Sequence, residues 1–338
     1  MRILLYLLLI VPFSVSSQTY ELSSLTKESN TSIRGISVVS DSVAWVSGSN
    51  GSVGKTTDGG KTWKWTKPKG YEKLDFRDIE AFDENRAVVV NAGSPAYILL
   101  TEDGGKNWTE SYKNLDSAIF LDGMDFWDEK KGIIFGDPIQ QHLRLLMTTD
   151  GGHSWKDSSS ALKFEMAVGE AGFAASGSTI KTLPGGKVWI ATGGTKSNIY
   201  ASDDYGLIWK KYDCPILQGQ NSTGAFSIDF YDGNQGVVVG GDYQKDKENP
   251  NNILLTRDGG KSWNKPSRPV FGYRSGVIWY DAKNCFATGT SGTDVSKDGG
   301  QNWYHISDES FNAIKKAKKG SLVLLAGNKG LIYSLKMK

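Results

Sequence analysis

Histidine and cysteine are scarce in this chain of 338 residues. The three histidines, His142, His153 and His305, fall far apart in the repeat pattern described below, so a histidine metal site or a catalytic triad has little support. Only Cys214 and Cys285 occur, which leaves one disulfide or two free, partly buried thiols as the alternatives. Charge of one sign is also lacking: Lys+Arg 39 against Asp+Glu 37 gives a net +2, with no basic run that would mark a nucleic-acid stripe. No glycine-rich phosphate loop precedes a helix, no dinucleotide fingerprint is present, and neither a metal nor a cofactor is expected. Long apolar runs are confined to residues 3–11, too short for the roughly 20 residues that span a bilayer. With Arg2 before it and small residues through Ser17 after it, this run reads as a secretory signal peptide over 1–17. No cysteine near that site could carry a lipid. A secreted or periplasmic chain without a membrane span is therefore expected after cleavage, with residues 18–338 forming one domain.

What the chain does have is a recurring octet, first seen as Thr56-Thr57-Asp58-Gly59-Gly60-Lys61-Thr62-Trp63. The pattern Ser/Thr-x-Asp-x-Gly-x-x-Trp appears six times, with aspartates Asp58, Asp103, Asp150, Asp204, Asp258 and Asp298. These are separated by 45, 47, 54, 54 and 40 residues, a period that suits the four-stranded blades of a β-propeller. Each aspartate can accept backbone N–H bonds inside a tight turn, and the glycines supply positive φ. One acid per turn is too few for a calcium cage of six to eight oxygens, so the boxes read as structural.

Between boxes the sequence repeats short β-rich runs, such as Val43-Ala44-Trp45-Val46-Ser47 and Ala87-Val88-Val89-Val90. After the sixth box, three further runs form a blade that lacks its fourth strand. The segment Tyr20-Glu21-Leu22-Ser23-Ser24-Leu25 alternates as an outer strand would. The sequence thus predicts an all-β, seven-bladed propeller closed by its N-terminal strand, which removes open sheet edges. One stretch, residues 164–176, is apolar and acidic and is not needed to build a blade.

Ligand chemistry is sought on the face opposite the box turns, around the channel mouth. Candidates there are Arg34, Arg77, Asp137, Glu165, Glu170, Asp242, Tyr243 and Arg274. Arg34, Arg77 and Arg274 each begin an inner strand, in blades 1, 2 and 6, and three converging guanidinium groups would clamp a carboxylate or phosphate. Asp137 and Asp242 stand where a second strand gives way to its loop. Asp137, Glu170 or Asp242 would handle protons if the chain cleaves an acidic saccharide.

The six boxes resemble the Asp-box, or BNR, repeats of sialidases, sortilin-type receptors and Ycf48-like photosystem II assembly-factor propellers. Phe135-Gly136-Asp137-Pro138, Gly169-Glu170-Ala171-Gly172-Phe173, Gly240-Gly241-Asp242-Tyr243 and Gly272-Tyr273-Arg274-Ser275 extend the likeness to the Ycf48-like group. This implies a protein that engages a protein or glycan partner at the channel mouth, with Arg34, Arg77, Tyr243 and Arg274 as ligand-binding residues. The alternative is a glycoside hydrolase or lyase. Sialidases are six-bladed and carry a Phe-Arg-Ile-Pro motif, to which only Ser32-Ile33-Arg34-Gly35 comes near.

Overall fold

The computed structural model describes residues 19–26 and 30–337; the expected leader at 1–17 lies outside them. Seven antiparallel sheets stand around a common axis. In blade 1 the strands run Ile33–Val38, Ala44–Gly48, Val53–Thr56 and Lys64–Thr66 from the axis outward. Blades 2, 3, 4 and 6 repeat this order, while in blade 5 the outermost strand shrinks to a single bridge between Leu255 and Asn264. Neighbouring innermost strands contact one another all round, including Ile33–Val38 of blade 1 against Ala313–Lys316 of blade 7, so the ring is closed.

Closure is made by the N-terminal strand. Tyr20–Thr26 pairs with Ile332–Met337 as the fourth strand of blade 7, with Leu22 opposite Leu335. Tyr20 and Leu22 pack on the cluster of Phe286, Phe311 and Leu335, which spans blades 6 and 7. Such clusters fill each interface between blades, because alternate residues of every middle strand face opposite neighbours. The two thiols sit in different clusters, Cys214 between blades 4 and 5 and Cys285 between blades 5 and 6. Both are free and buried. Among the described residues no helix is long and apolar enough to cross a membrane.

The box turns lock themselves. In the first, Thr56 Oγ1 donates to Asp58 at 2.8 Å and accepts the Gly60 N–H at 2.9 Å, while Asp58 accepts the Thr62 N–H and hydroxyl at 2.9 and 2.6 Å. The Thr62 donors hold the Asp58 carboxyl down at about 2. Gly60 adopts φ 89°, which a side chain would resist. In four of the six turns the tryptophan, Trp63, Trp209, Trp263 or Trp303, returns an indole N–H to the turn, as Trp303 does to the Gly300 carbonyl at 2.7 Å.

Trp303 is 1% exposed. Trp303→Ala is expected to cost about 3–5 kcal/mol, the usual range for removing a large buried ring. Trp63→Ala, at a half-buried position, should cost clearly less. The two midpoints in urea would show the difference.

Candidate functional site

At the mouth of the ring opposite the box turns lies a cavity of about 450 Å³. Its polar wall arises from a repeated irregularity of the innermost strands. In blades 1, 2, 3 and 5 the ladder skips one residue, between Ile33 and Gly35, Phe76 and Asp78, Leu121 and Gly123, and Ala225 and Ser227. The skipped residues are Arg34, Arg77, Asp122 and Phe226, and all four line the cavity. A β-bulge leaves its extra residue unpaired and re-aims its side chain, here toward the axis. Ser275 and Asn312, which directly precede the first ladder pairs of blades 6 and 7, line it as well.

The floor is the stretch that no blade required. After Glu170–Ala171 the chain crosses the axis as a strap, and its groups reach five blades. Gly172 N–H donates to Asp137 at 2.9 Å in blade 3, and the Ala174 and Ala175 carbonyls accept from Arg77 and Arg34 at 3.4 and 3.0 Å. Ser176 Oγ donates to the Ser275 carbonyl at 2.6 Å, and the Ser178 and Ser227 hydroxyls meet at 2.7 Å. Phe173 stacks on Phe226 with centroids 3.9 Å apart. Close passage over blade 2 demands glycine at 177, where a Cβ would stand 2.3 Å from the Asp78 carboxyl. The strap is anchored by Glu170, 1% exposed, which accepts from Thr192, Asn198 and Tyr200 at 2.6, 2.8 and 3.0 Å.

Charge in the cavity is divided between adjacent walls. Arg34 and Arg77 stand together, and burial followed by the neighbouring Arg77 guanidinium lowers the pKa of Arg34. Arg77 donates through Nε to Asp75 at 2.7 Å. Beside them Asp122 is 2% exposed, with the Asp137 carboxyl and the Ala174 N–H against its own carboxyl. Burial, then the adjacent Asp137, push the Asp122 carboxyl well above the usual carboxylate range. Burial also raises Asp137, against the Gly172 N–H and the Asp122 hydroxyl that stabilise its charge. The hydrogen bond between the two carboxyls favours the proton on Asp122 and the charge on Asp137. Aromatic rings form the remaining wall, with Tyr273 edge-on to Phe226 at 4.8 Å and the half-exposed Tyr243 at 6.1 Å.

Residues 14–113 match the family model described as photosynthesis system II assembly factor YCF48. The photosystem II assembly lipoprotein Ycf48 of Synechococcus sp. (strain CC9902) is 26% identical over 273 residues, covering 79% of this chain and 73% of that one. The chain is a β-propeller that resembles Ycf48. Among solved structures, YCF48 from Cyanidioschyzon merolae superposes with a TM-score of 0.67 at 16% identity, covering 93% of this chain and 98% of that chain. A structure titled YCF48 bound to D1 peptide gives 0.66, also at 16% identity, covering 93% and 96%. At such identities these superpositions speak for the fold alone.

Within this ring the candidate residues separate. Arg34, Arg77, Asp137 and Tyr243 line the cavity. Arg274 does not join them, which corrects the three-arginine clamp. Blade 6 begins its innermost strand only at Gly276, and the Arg274 side chain is fully buried in the segment before it. There it pairs with Asp294 at 2.7 Å and donates to the Phe271 and Tyr273 carbonyls and to Ser291. Glu170 is held by the strap contacts above, and Asp242, 6% exposed, accepts the Gln244 N–H at 2.9 Å within its own loop. Asp122, Phe173, Phe226 and Tyr273 escaped the sequence reading. Aligning the repeats would have found Asp122, since Leu121-Asp122-Gly123 occupies the place of Ile33-Arg34-Gly35 and Phe76-Arg77-Asp78.

A carboxyl whose folded pKa lies above its unfolded value favours folding below the unfolded pKa, and that contribution is lost as pH rises toward the folded pKa. Asn mimics the protonated form. Asp122→Asn is therefore expected to match the parent near pH 4 and to exceed its stability at pH 8 by roughly 1–3 kcal/mol, the usual cost of an unmatched buried polar group. Thermal melts at the two pH values check this.

Proposed function

We propose that this protein binds a segment of a protein partner at the channel mouth, seating an acid group of that segment against Arg34 and Arg77, in the manner of an assembly factor. The observation that carries this reading is the pair of guanidinium groups in a floored cavity: each gives one N–H to the strap, Arg77 gives another to Asp75, and the rest meet no acceptor among the described residues. Such donors suit a carboxylate, and the aromatic wall suits an apolar side chain next to it. The relative with a D1 peptide in its title is a precedent for peptide binding by this fold. Residues 18–338 would act as one unit outside the cytoplasm, in keeping with the apolar leader and with the lipoprotein relative.

A glycosidase acting on an acidic sugar fits less well. Glycosidase carboxyls stand roughly 5–9.5 Å apart with the sugar between them, whereas Asp122 and Asp137 touch. Glu170 is fully engaged in holding the strap.

The test is fluorescence anisotropy with a labelled set of decapeptides bearing acidic residues or a free C-terminus, against amidated, uncharged counterparts. Arg34→Ala and Arg77→Ala should each weaken the acidic peptides about 10- to 100-fold, the range for losing one charged hydrogen-bonding partner, with the melting temperature kept. Arg274→Ala should instead lower the melting temperature. Acidic and neutral peptides binding alike, or binding indifferent to both cavity arginines, would overturn the reading.

A further inference from the structure

The cavity offers unmet groups of both kinds. Arg34 and Arg77 present donors, while immediately beside them the carboxyl pair presents acceptors. Asp122, 2% exposed, is taken up by Asp137 and the Ala174 N–H, whereas Asp137 faces the cavity and, among the described residues, only its Oδ1 receives a backbone N–H, that of Gly172. The strap leaves no slack here, since a Cβ on Gly172 would fall 2.4 Å from Asp122 Oδ2. Two carboxyls pressed together under a backbone strap disfavour folding, and nothing in the described blades needs them. A ligand supplying only an acid would satisfy the arginines and leave this wall unmatched.

We propose that the site recognises a two-part group: an acid held by Arg34 and Arg77, and next to it a neutral N–H donor accepted by Asp137, which Asp122 holds in position. This rests on the peptide-binding reading and narrows it. A neutral donor fits better than an ammonium, because the two guanidinium groups adjoin the place it would occupy and repel a third cation. A peptide has this arrangement in two places, at a C-terminal residue, where the carboxylate adjoins its own amide, and at an internal acidic side chain beside a backbone N–H. An apolar side chain on the same residue would lie against Phe226 and Tyr273, 4.8 Å apart at the aromatic wall. Asp122 is a positioning residue here, since its oxygens are closed to solvent and act through Asp137.

Three probes test this by calorimetry on the full chain: acetyl-Gly-Phe as the free acid, its ester analogue with oxygen in place of the Phe N–H, and acetyl-Asp-Phe amide, whose acid is a side chain. The parent should bind the better of the two acid sources roughly tenfold more tightly than the analogue lacking the N–H, as expected for one buried hydrogen bond to a charged acceptor. If acetyl-Asp-Phe amide is that source, its own ester analogue serves as the comparison. Asp137→Ala should bring the amide-to-ester ratio to about one, whereas Arg34→Ala should weaken both members alike and keep the ratio. Asp122→Asn, which retains a donor toward Asp137, should also keep it. Equal affinity of the parent for amide and ester overturns this inference alone and needs no variant to fold. Binding of none of the acids overturns the reading beneath it, and this inference with it.

Discussion

The ladder between Tyr20–Thr26 and Ile332–Met337 is the contact on which the rest depends. Six boxes and their strands would by themselves give a curved row of sheets with an open edge at each end. One strand's worth of backbone groups on blade 7, along Ile332–Met337, would face water, and Arg34 would have no fixed relation to Ser275 or Asn312 across the closure. Once the first strand hydrogen-bonds to the last, blade 7 is complete and the innermost strands of blades 1 and 7 pack together. The channel mouth then exists as a single place. Because the pairing joins residues some 300 positions apart in sequence, its loop-closure entropy is high, and the hydrophobic seating of Tyr20 and Leu22 against Phe286 and Leu335 helps to offset it.

Inside the ring, one device places four of the side chains that line the cavity, Arg34, Arg77, Asp122 and Phe226. A regular innermost strand would alternate its side chains between the two adjoining blades and send none along the axis. Skipping one residue breaks this alternation at a chosen point, and it does so at the equivalent point in four blades. The identity of the skipped residue then varies freely, as arginine, arginine, aspartate and phenylalanine, because it carries no ladder duty. The scaffold and the ligand chemistry are separated in this way. Strap residues 172–178 complete the arrangement by turning an open channel into a cup, with carbonyls fixing the arginines from below.

The sequence made the blades legible because each box is a local device. Thr56, Asp58, Gly60 and Trp63 satisfy one another within eight residues, so their spacing alone reveals the turn. The closing strand was legible as well, from the alternation of residues 20–25 and the missing fourth strand of blade 7. Arg34, Arg77, Asp137 and Tyr243 were reachable through their positions near strand ends. Arg274 looked the same in sequence but belongs to a buried ion pair, since Asp294, its partner, lies 20 residues on and nothing local announces it. Asp122 was passed over because one acid in a strand reads as a solvated charge, and its burial comes from a strap that arrives 50 residues later.

The sequence by itself determined the period, the turns, the number of blades and the strand that closes them, for each follows from contacts within one repeat or from a count of strands. Only the tertiary structure decided which charged side chains share an opening. A bulge aims a side chain, but whether that side chain meets an ion partner, a carbonyl of the strap or open space depends on chain segments far away in sequence, and those distances exist only after the ring has closed.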